Sequence, residues 1–213
     1  MLKIYGSEIS NNVNKVRFLA NALGVEYELV HVDLLHVEQR EVEFLSLNPV
    51  GKVPVMDDDG LILFESSAIS KYLADKHESN YYPKDLRIRA LLDQWIDFCN
   101  IHVHGALTRV FFNKVIAPAQ GFDVDERSGE FGQKMLGSYL PVLDAELGKN
   151  KYLAGGEITI ADINLLSILE PAEISGVDLS KYENLYKYTT GLRKQEFYTK
   201  CHSDYRDVLA KIM

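Results

Sequence analysis

Cysteine is scarce in this chain: Cys99 and Cys201 are the two among 213 residues. They lie far apart, with no Cys-x-x-Cys pair and no Cys/His metal spacing. Neither a disulfide framework nor a metal centre is expected, and reduced thiols in a cytoplasmic protein are. Long apolar runs are missing too. Nothing approaches the roughly 20 residues that span a bilayer, and "MLKIYGSEISNN" at the N-terminus lacks a basic region followed by an apolar one, so no membrane partner is expected. Positive charge is in deficit, with 23 Lys and Arg against 31 Asp and Glu and a net charge of −8. That excludes nucleic acid as the main partner, since a duplex binder shows a basic face. No Gly-x-Gly-x-x-Gly appears, and "GKNK" at 148–151 lacks the rest of a phosphate loop. There is no internal repeat and no low-complexity tract. What remains is an ordinary globular composition, 46% apolar and 25% charged, with ample material for a core.

The first third alternates two periods. "MLKIY" and "EYELVHVDL" alternate like strands, and between them Val13, Val16, Ala20 and Leu23 recur at helical spacing up to Gly24. A short helix over "VEQREVEFLSLNP" stops before Pro49. Val53–Met56 and Leu61–Phe64 flank "DDDG", where Asp59-Gly60 favours a hairpin turn with positive φ. "SSAISKYLADKH" then reads as a helix with Ile69, Tyr72 and Leu73 on one side. The order β-α-β-α-β-β-α predicts an α/β unit with a mixed four-stranded sheet.

Near residue 78 the texture changes. Residues 1–77 are expected to form the first domain, 78–86 a polar linker, and 87–213 an all-helical domain without strands. Ile88 through Val110 fit a long helix ending near Pro118. Phe131, Met135, Tyr139, Leu143 and Leu147 fit a second. Thr159 caps a third, with Asp162 at the third helical position and Ile158 able to staple onto Ile163. Residues 180–213 suggest shorter helices. A cleft between such units commonly takes a ligand.

The stretch "GKVPVMDDDGLILFES" carries the chemistry. Proline cannot donate to a strand ladder, so Pro54 belongs at a strand start, an edge or a special turn. A cis Val53–Pro54 bond would turn the Val53 N–H and C=O outward toward a peptide-like ligand; a trans proline on an edge is the plainer alternative. Glu65 and Ser66 open a helix whose free N–H groups suit a carboxylate, and Glu65 could hold an ammonium group. Helix capping alone would also explain the pair.

"NPVGKVPVMDDDGLILFESSAISKYL" closely resembles the glutathione-binding core of the cytosolic glutathione transferases. "YLAGGEITIADI" is similar to the capping-box segment of that family's helical domain. The resemblance implies a thioredoxin-like first domain with a cis-proline, an all-α second domain, and a homodimer. Glutathione is then a co-substrate, and no permanently bound cofactor is expected. Val53 beside Pro54 would pair with the cysteinyl backbone, while Glu65 and Ser66 would hold the γ-glutamyl ammonium and carboxylate. By alignment to the phi class, Gln39 and Arg40 fall where the family has a His–Lys pair, and Lys52 where it has Gln. These three are the candidates for the glycyl carboxylate, and solvated surface charge is the alternative for Arg40 and Lys52.

The reacting thiol needs an activator. A free cysteine thiol is only about 3% thiolate at pH 7, and lowering its pKa by ~2 takes ~2.7 kcal/mol. One hydrogen bond to an anion supplies about 1.5–3 kcal/mol. Gly6 and Ser10 in "YGSEISNNVNKVR" match the spacing of the serine-type classes, phi and its bacterial relatives. Ser10 would donate to the thiolate; it also suits a simple helix cap, as do Asn11 and Asn12. Asn12 is the second choice of donor and Ser7 a weaker one, while Tyr5 lies inside the first strand. No cysteine stands near Ser10, which disfavours a cysteine-type mechanism. Ile9, Asn11, His102, Arg109 and Phe112 are candidates for the electrophile pocket, although Arg109 and Phe112 also suit a core or interface. His102 and His104 lie about 200° apart on a helix, so they cannot share a metal.

The activity expected is conjugation of glutathione to a small hydrophobic electrophile. Glutathione-dependent peroxide or disulfide reduction is a close alternative, and a non-catalytic interaction protein of the same fold is a distant one. The Ser10 and Glu65–Ser66 combination favours catalysis, and a chain ending at 213 argues against the elongation-factor form.

Overall fold

A computed structural model describes residues 1–207. They divide into two compact units, 1–82 with the segment from Glu196 onward, and 83–195.

In the first unit, β1 (Leu2–Gly6) pairs in parallel with β2 (Tyr27–His31) and antiparallel with β3 (Val55–Asp58), which pairs antiparallel with β4 (Leu61–Phe64). The sheet order is β2-β1-β3-β4. The β3–β4 hairpin turns on Asp59 (φ 51°) and Gly60 (φ 95°), the double positive φ that its Asp-Gly pair favours. The helices are α1 (Asn11–Ala22), α2 (Val42–Leu47) and α3 (Ser66–Lys76). Helix α2 stops at the extended Asn48, just before Pro49, as the pre-proline restriction requires.

Every α1 side chain from Val13 to Ala20 is buried, including Asn14, Lys15 and Arg17. Val13, Val16 and Ala20 form the predicted apolar stripe, whereas Leu23 is only half-buried. The opposite face is covered because α1 also packs on α3 and on the C-terminal segment. There Phe18 meets Phe197 and Tyr198, at centroid distances of 6.5 and 5.0 Å.

The second unit is helical apart from an isolated Tyr152–Gly155 bridge. Helix α4 (Leu86–Asp97) runs through a π-helical stretch (Phe98–His104) into α5 (Gly105–Phe111). A second π stretch (Phe112–Ile116) leads into α6 (Ala117–Gln120). The helix ends near Pro118 as expected, passing it by two residues and stopping at Gly121, φ 68°. Proline disrupts an α-helix through its missing donor and its clash with the carbonyl four residues back; the π turn just before it shifts that bonding to i−5.

Helix α7 (Glu126–Leu147) buries Gly132, Leu136, Leu140 and Leu143. The predicted seam through Phe131, Met135 and Tyr139 is displaced by one position, leaving Phe131 54% exposed. Gly132 explains the shift, since a Cβ there would lie 2.6 Å from the Ala106 carbonyl oxygen of α5. The helices therefore cross at a glycine, a signal that apolar periodicity cannot carry.

Helix α8 (Ile160–Leu169) is buried throughout. Its Thr159–Asp162 capping box forms as expected, with the Thr159 N–H donating to Asp162 Oδ2 at 2.7 Å. Asp162 Oδ1 also accepts from Leu153 N–H (2.9 Å) and the Tyr188 hydroxyl (2.6 Å). Helices α9 (Glu183–Leu192) and α10 (Glu196–Thr199) follow. Helix α10 and the described residues after it group with the first unit. The aromatic pair Phe197 and Tyr198 draws them onto α1. Of the helices anticipated over 180–213, any part beyond 207 lies outside the described residues.

Candidate active site

Glycine at position 6 sets the distance between β1 and α1. A Cβ there would come within 2.4 Å of Val13 Cγ2, so a larger residue would push the helix start away. Ser10 then caps α1 in an extended conformation. The Val13 N–H is shared between the Ser10 carbonyl oxygen (3.0 Å) and its hydroxyl oxygen (3.4 Å). The hydroxyl thus takes the longer leg of a bifurcated bond. Among the described residues its own hydrogen has no acceptor, so it remains able to donate. No acidic residue occupies the first turn of α1, and its cap is the neutral Ser10, leaving that positive helix end uncancelled; α3 also lacks an acidic first turn but has Glu65 at its cap.

Three side chains converge between those ends. The Lys15 ammonium donates to Ser66 Oγ at 2.9 Å and to Asn12 Oδ1 at 3.3 Å. The Ser66 hydroxyl donates to Asn12 Oδ1 at 3.3 Å. Lys15 is only 2% exposed, so its charge is poorly screened. Sequence reading found Asn12 and Ser66 but missed Lys15; the usable signal was its place one turn after Asn12 on a helix start. Glu65 precedes this cluster at φ 70°, ψ 103° with an exposed side chain. A non-glycine residue held there costs about 1–3 kcal/mol.

The Val53–Pro54 peptide bond is cis, the geometry the sequence raised. Val53 lies just outside β3, and among the described residues neither its N–H nor its C=O has a hydrogen-bond partner. Asn48, also missed from sequence, ties this loop down. Its amide donates to the Lys52 carbonyl (2.7 Å) and its Oδ1 accepts from Val50 N–H (3.0 Å). Arg40 is exposed and donates one N–H to the Val50 carbonyl at 3.2 Å. Gln39 has a buried Oε1 without a partner, and Lys52 is exposed.

The five pocket candidates divide between the two units. Ile9 is buried and Asn11 half-buried at the start of α1. In the second unit, His102 packs on Phe98 and Tyr139, with centroids at 5.3 and 5.1 Å. Arg109 donates to Ser128 Oγ at 3.0 Å, and Phe112 stacks on Phe122 at 6.4 Å. His102 and Phe112 stand ten residues apart on one continuous helix, roughly 15 Å along its axis.

Comparison with known proteins meets this geometry. The model described as "Glutathione S-transferase, N-terminal domain" matches residues 1–75, and that described as "Glutathione S-transferase, C-terminal domain" matches 108–196. A curated relative, glutathione S-transferase F10 of Arabidopsis thaliana, is 36% identical over 173 residues, covering 80% of each chain. This chain belongs to the glutathione S-transferase family. It is phi-like within it. A glutathione transferase F7 from Populus trichocarpa superposes with a TM-score of 0.87 at 26% identity, over 94% of this chain and 97% of that one. Glutathione S-transferase I from mais, solved in complex with an atrazine glutathione conjugate, gives 0.85 at 30% identity, over 93% and 95%.

Proposed function

We propose that this transferase binds glutathione across its first unit, keeps the thiol ionised through Ser10, and transfers it to a small hydrophobic electrophile. The observation that carries the reading is the Ser10 hydroxyl, which accepts the long leg of a shared N–H and keeps its own hydrogen to give. An anion near the start of α1 gains that hydrogen bond and the helix's uncancelled N-terminal charge together. Asn12 is the second choice of donor: Lys15 and Ser66 engage its carbonyl oxygen, which leaves its amide N–H groups to give.

The rest of the tripeptide follows by chemistry. The unpaired Val53 backbone suits the cysteinyl N–H and C=O. Ser66, backed by the Lys15 ammonium, suits the γ-glutamyl carboxylate, and the exposed Glu65 carboxylate suits its ammonium. Arg40 and Lys52 supply cationic groups for the glycyl carboxylate, and Gln39 a polar one. On the first unit, Ile9 and Asn11 at the start of α1 are the groups offered to the electrophile.

Two cysteines outside any disulfide suit a reducing cytoplasm, and exposed Leu86 and Leu91 on α4 and Phe64 on β4 suit a homodimer. Retention on immobilised glutathione, together with conjugation of a chromogenic aryl halide, tests the function. Failure to bind glutathione would move the chain to the non-catalytic reading; binding with disulfide reduction but no conjugation would move it to the reductase reading.

A further inference from the structure

A second cluster of polar and nucleophilic groups lies on the other side of α1. A groove of about 450 Å³ is lined there by Arg17 and Asn21 of α1, Tyr27 of β2, and Cys201 and His202 after α10. That volume falls in the ~300–1,000 Å³ range of small-molecule sites.

Cys201 is half-buried and outside any disulfide. Its Sγ accepts from the Asn21 amide at 3.0 Å. Arg17 is only 5% exposed, and its guanidinium faces both Cys201 and Tyr27. The two Nη atoms are committed to Asn14 Oδ1 and Glu8 Oε1, each at 3.0 Å. Its Nε is buried with no hydrogen-bond partner, an unmet donor on a residue lining the groove. The Tyr27 hydroxyl lines the same groove; burial, then Cys201, push its pKa up against the pull of Arg17, so it stays protonated beside the thiol. The groove is thus lined by the cations Arg17 and Lys200, the carboxylates Glu8 and Glu26, and the His202 imidazole.

We propose that Cys201 is a modification site that exchanges with glutathione disulfide to carry a glutathionyl group. The Cys201 thiolate attacks one sulfur of the disulfide. A Cys201–glutathione bond forms, the reagent's own S–S bond breaks, and the second glutathione leaves as a thiolate that takes a proton from water. Cys201 is oxidised and the departing glutathione is reduced, so no further oxidant is needed. Asn21, Tyr27 and Arg17 stabilise the attacking anion, which is what controls the reactivity of such a thiol. The unmet Arg17 Nε offers a donor to a polar group of the adduct. This site does not depend on Ser10, and it differs in kind from Cys99, which is fully buried.

The test is intact-mass and peptide mapping of the full chain incubated with oxidised glutathione at pH 7. One glutathionyl group is expected, on Cys201, forming at least about three-fold faster than on the urea-unfolded chain. Cys99 should stay unmodified. Cys201→Ser should abolish the adduct while leaving conjugation near the wild-type rate. Tyr27→Phe removes only a hydroxyl and should slow adduct formation severalfold; Arg17→Met should slow it further if that variant folds. Reaction at the unfolded rate, equal labelling of Cys99, or no effect of Tyr27→Phe would overturn the proposal.

Discussion

Replacing Ser10 with Ala separates the two jobs its hydroxyl could do. The cap is weak, because Val13 N–H already reaches the Ser10 carbonyl at 3.0 Å and the hydroxyl only at 3.4 Å. Its loss should cost about 0.5 kcal/mol, the low end for an N-cap. Loss of a charge-assisted bond to the thiolate should cost about 1.5–3 kcal/mol. That raises the bound thiol's pKa by about one to two and cuts the rate roughly 10- to 150-fold at neutral pH. The sign fixes the pH signature. A donor removed from the anion favours the thiol, so the acidic limb of the rate profile moves to higher pH. Well above both pKa values the sulfur is ionised in either protein, and the two rates should converge. The assay is a pH–rate profile with a chromogenic aryl halide at saturating glutathione, with a thermal melt alongside. An unmoved acidic limb would refute the Ser10 role and turn attention to Asn12 or Ser7.

Lys15→Met should raise the KM for glutathione about ten-fold or more with kcat little changed, since it removes a charge beside Ser66 and not beside the sulfur; an unchanged KM in a folded variant refutes its place in the site. Asp162→Asn turns an amide donor toward donors that already face that position, at a cost of about 2–3 kcal/mol, so the melting temperature should fall by about 4–12 °C; a shift under 2 °C counts against the network. Asp58 is held below its ordinary carboxylate range by Lys76 and then Tyr72. A depressed carboxyl contributes stability that is present above its unfolded value near 3.8 and lost as pH falls through its folded value. Asp58→Asn should therefore melt lower than wild type at pH 7, with the gap closing below pH 4; a gap constant with pH removes the ion pair from the account.

The sheet, its hairpin and the capping box were legible because each rests on local chemistry. Asp59-Gly60 can take two positive φ values, and Thr159 with Asp162 needs only a helix start. The residues proposed to clamp glutathione were legible for the same reason, since Pro54, Glu65 and Ser66 sit at strand and helix ends whose free groups are set by the backbone. Hidden features were those decided by a distant neighbour. Lys15 and Arg17 look like the solvent face of α1 until α3 and the C-terminal segment cover that face. The seam of α7 is turned by the backbone of α5, which meets Gly132 where no apolar residue advertises a contact.

The same contrast bears on chemistry. Helix α1 presents its N-terminal end to one proposed site through Ser10 and Asn12, and its middle to the other through Arg17 and Asn21. Glu8 lies between them: its side chain binds Arg17 and its carbonyl accepts from Asn14, two residues before Ser10. Any adduct at Cys201 that draws Arg17 away from Glu8 therefore loosens the loop that aims the Ser10 hydroxyl. Conjugation by the glutathionylated protein should fall below that of the reduced protein and recover on reduction with dithiothreitol. Equal rates before and after reduction would show that the two faces of α1 work independently.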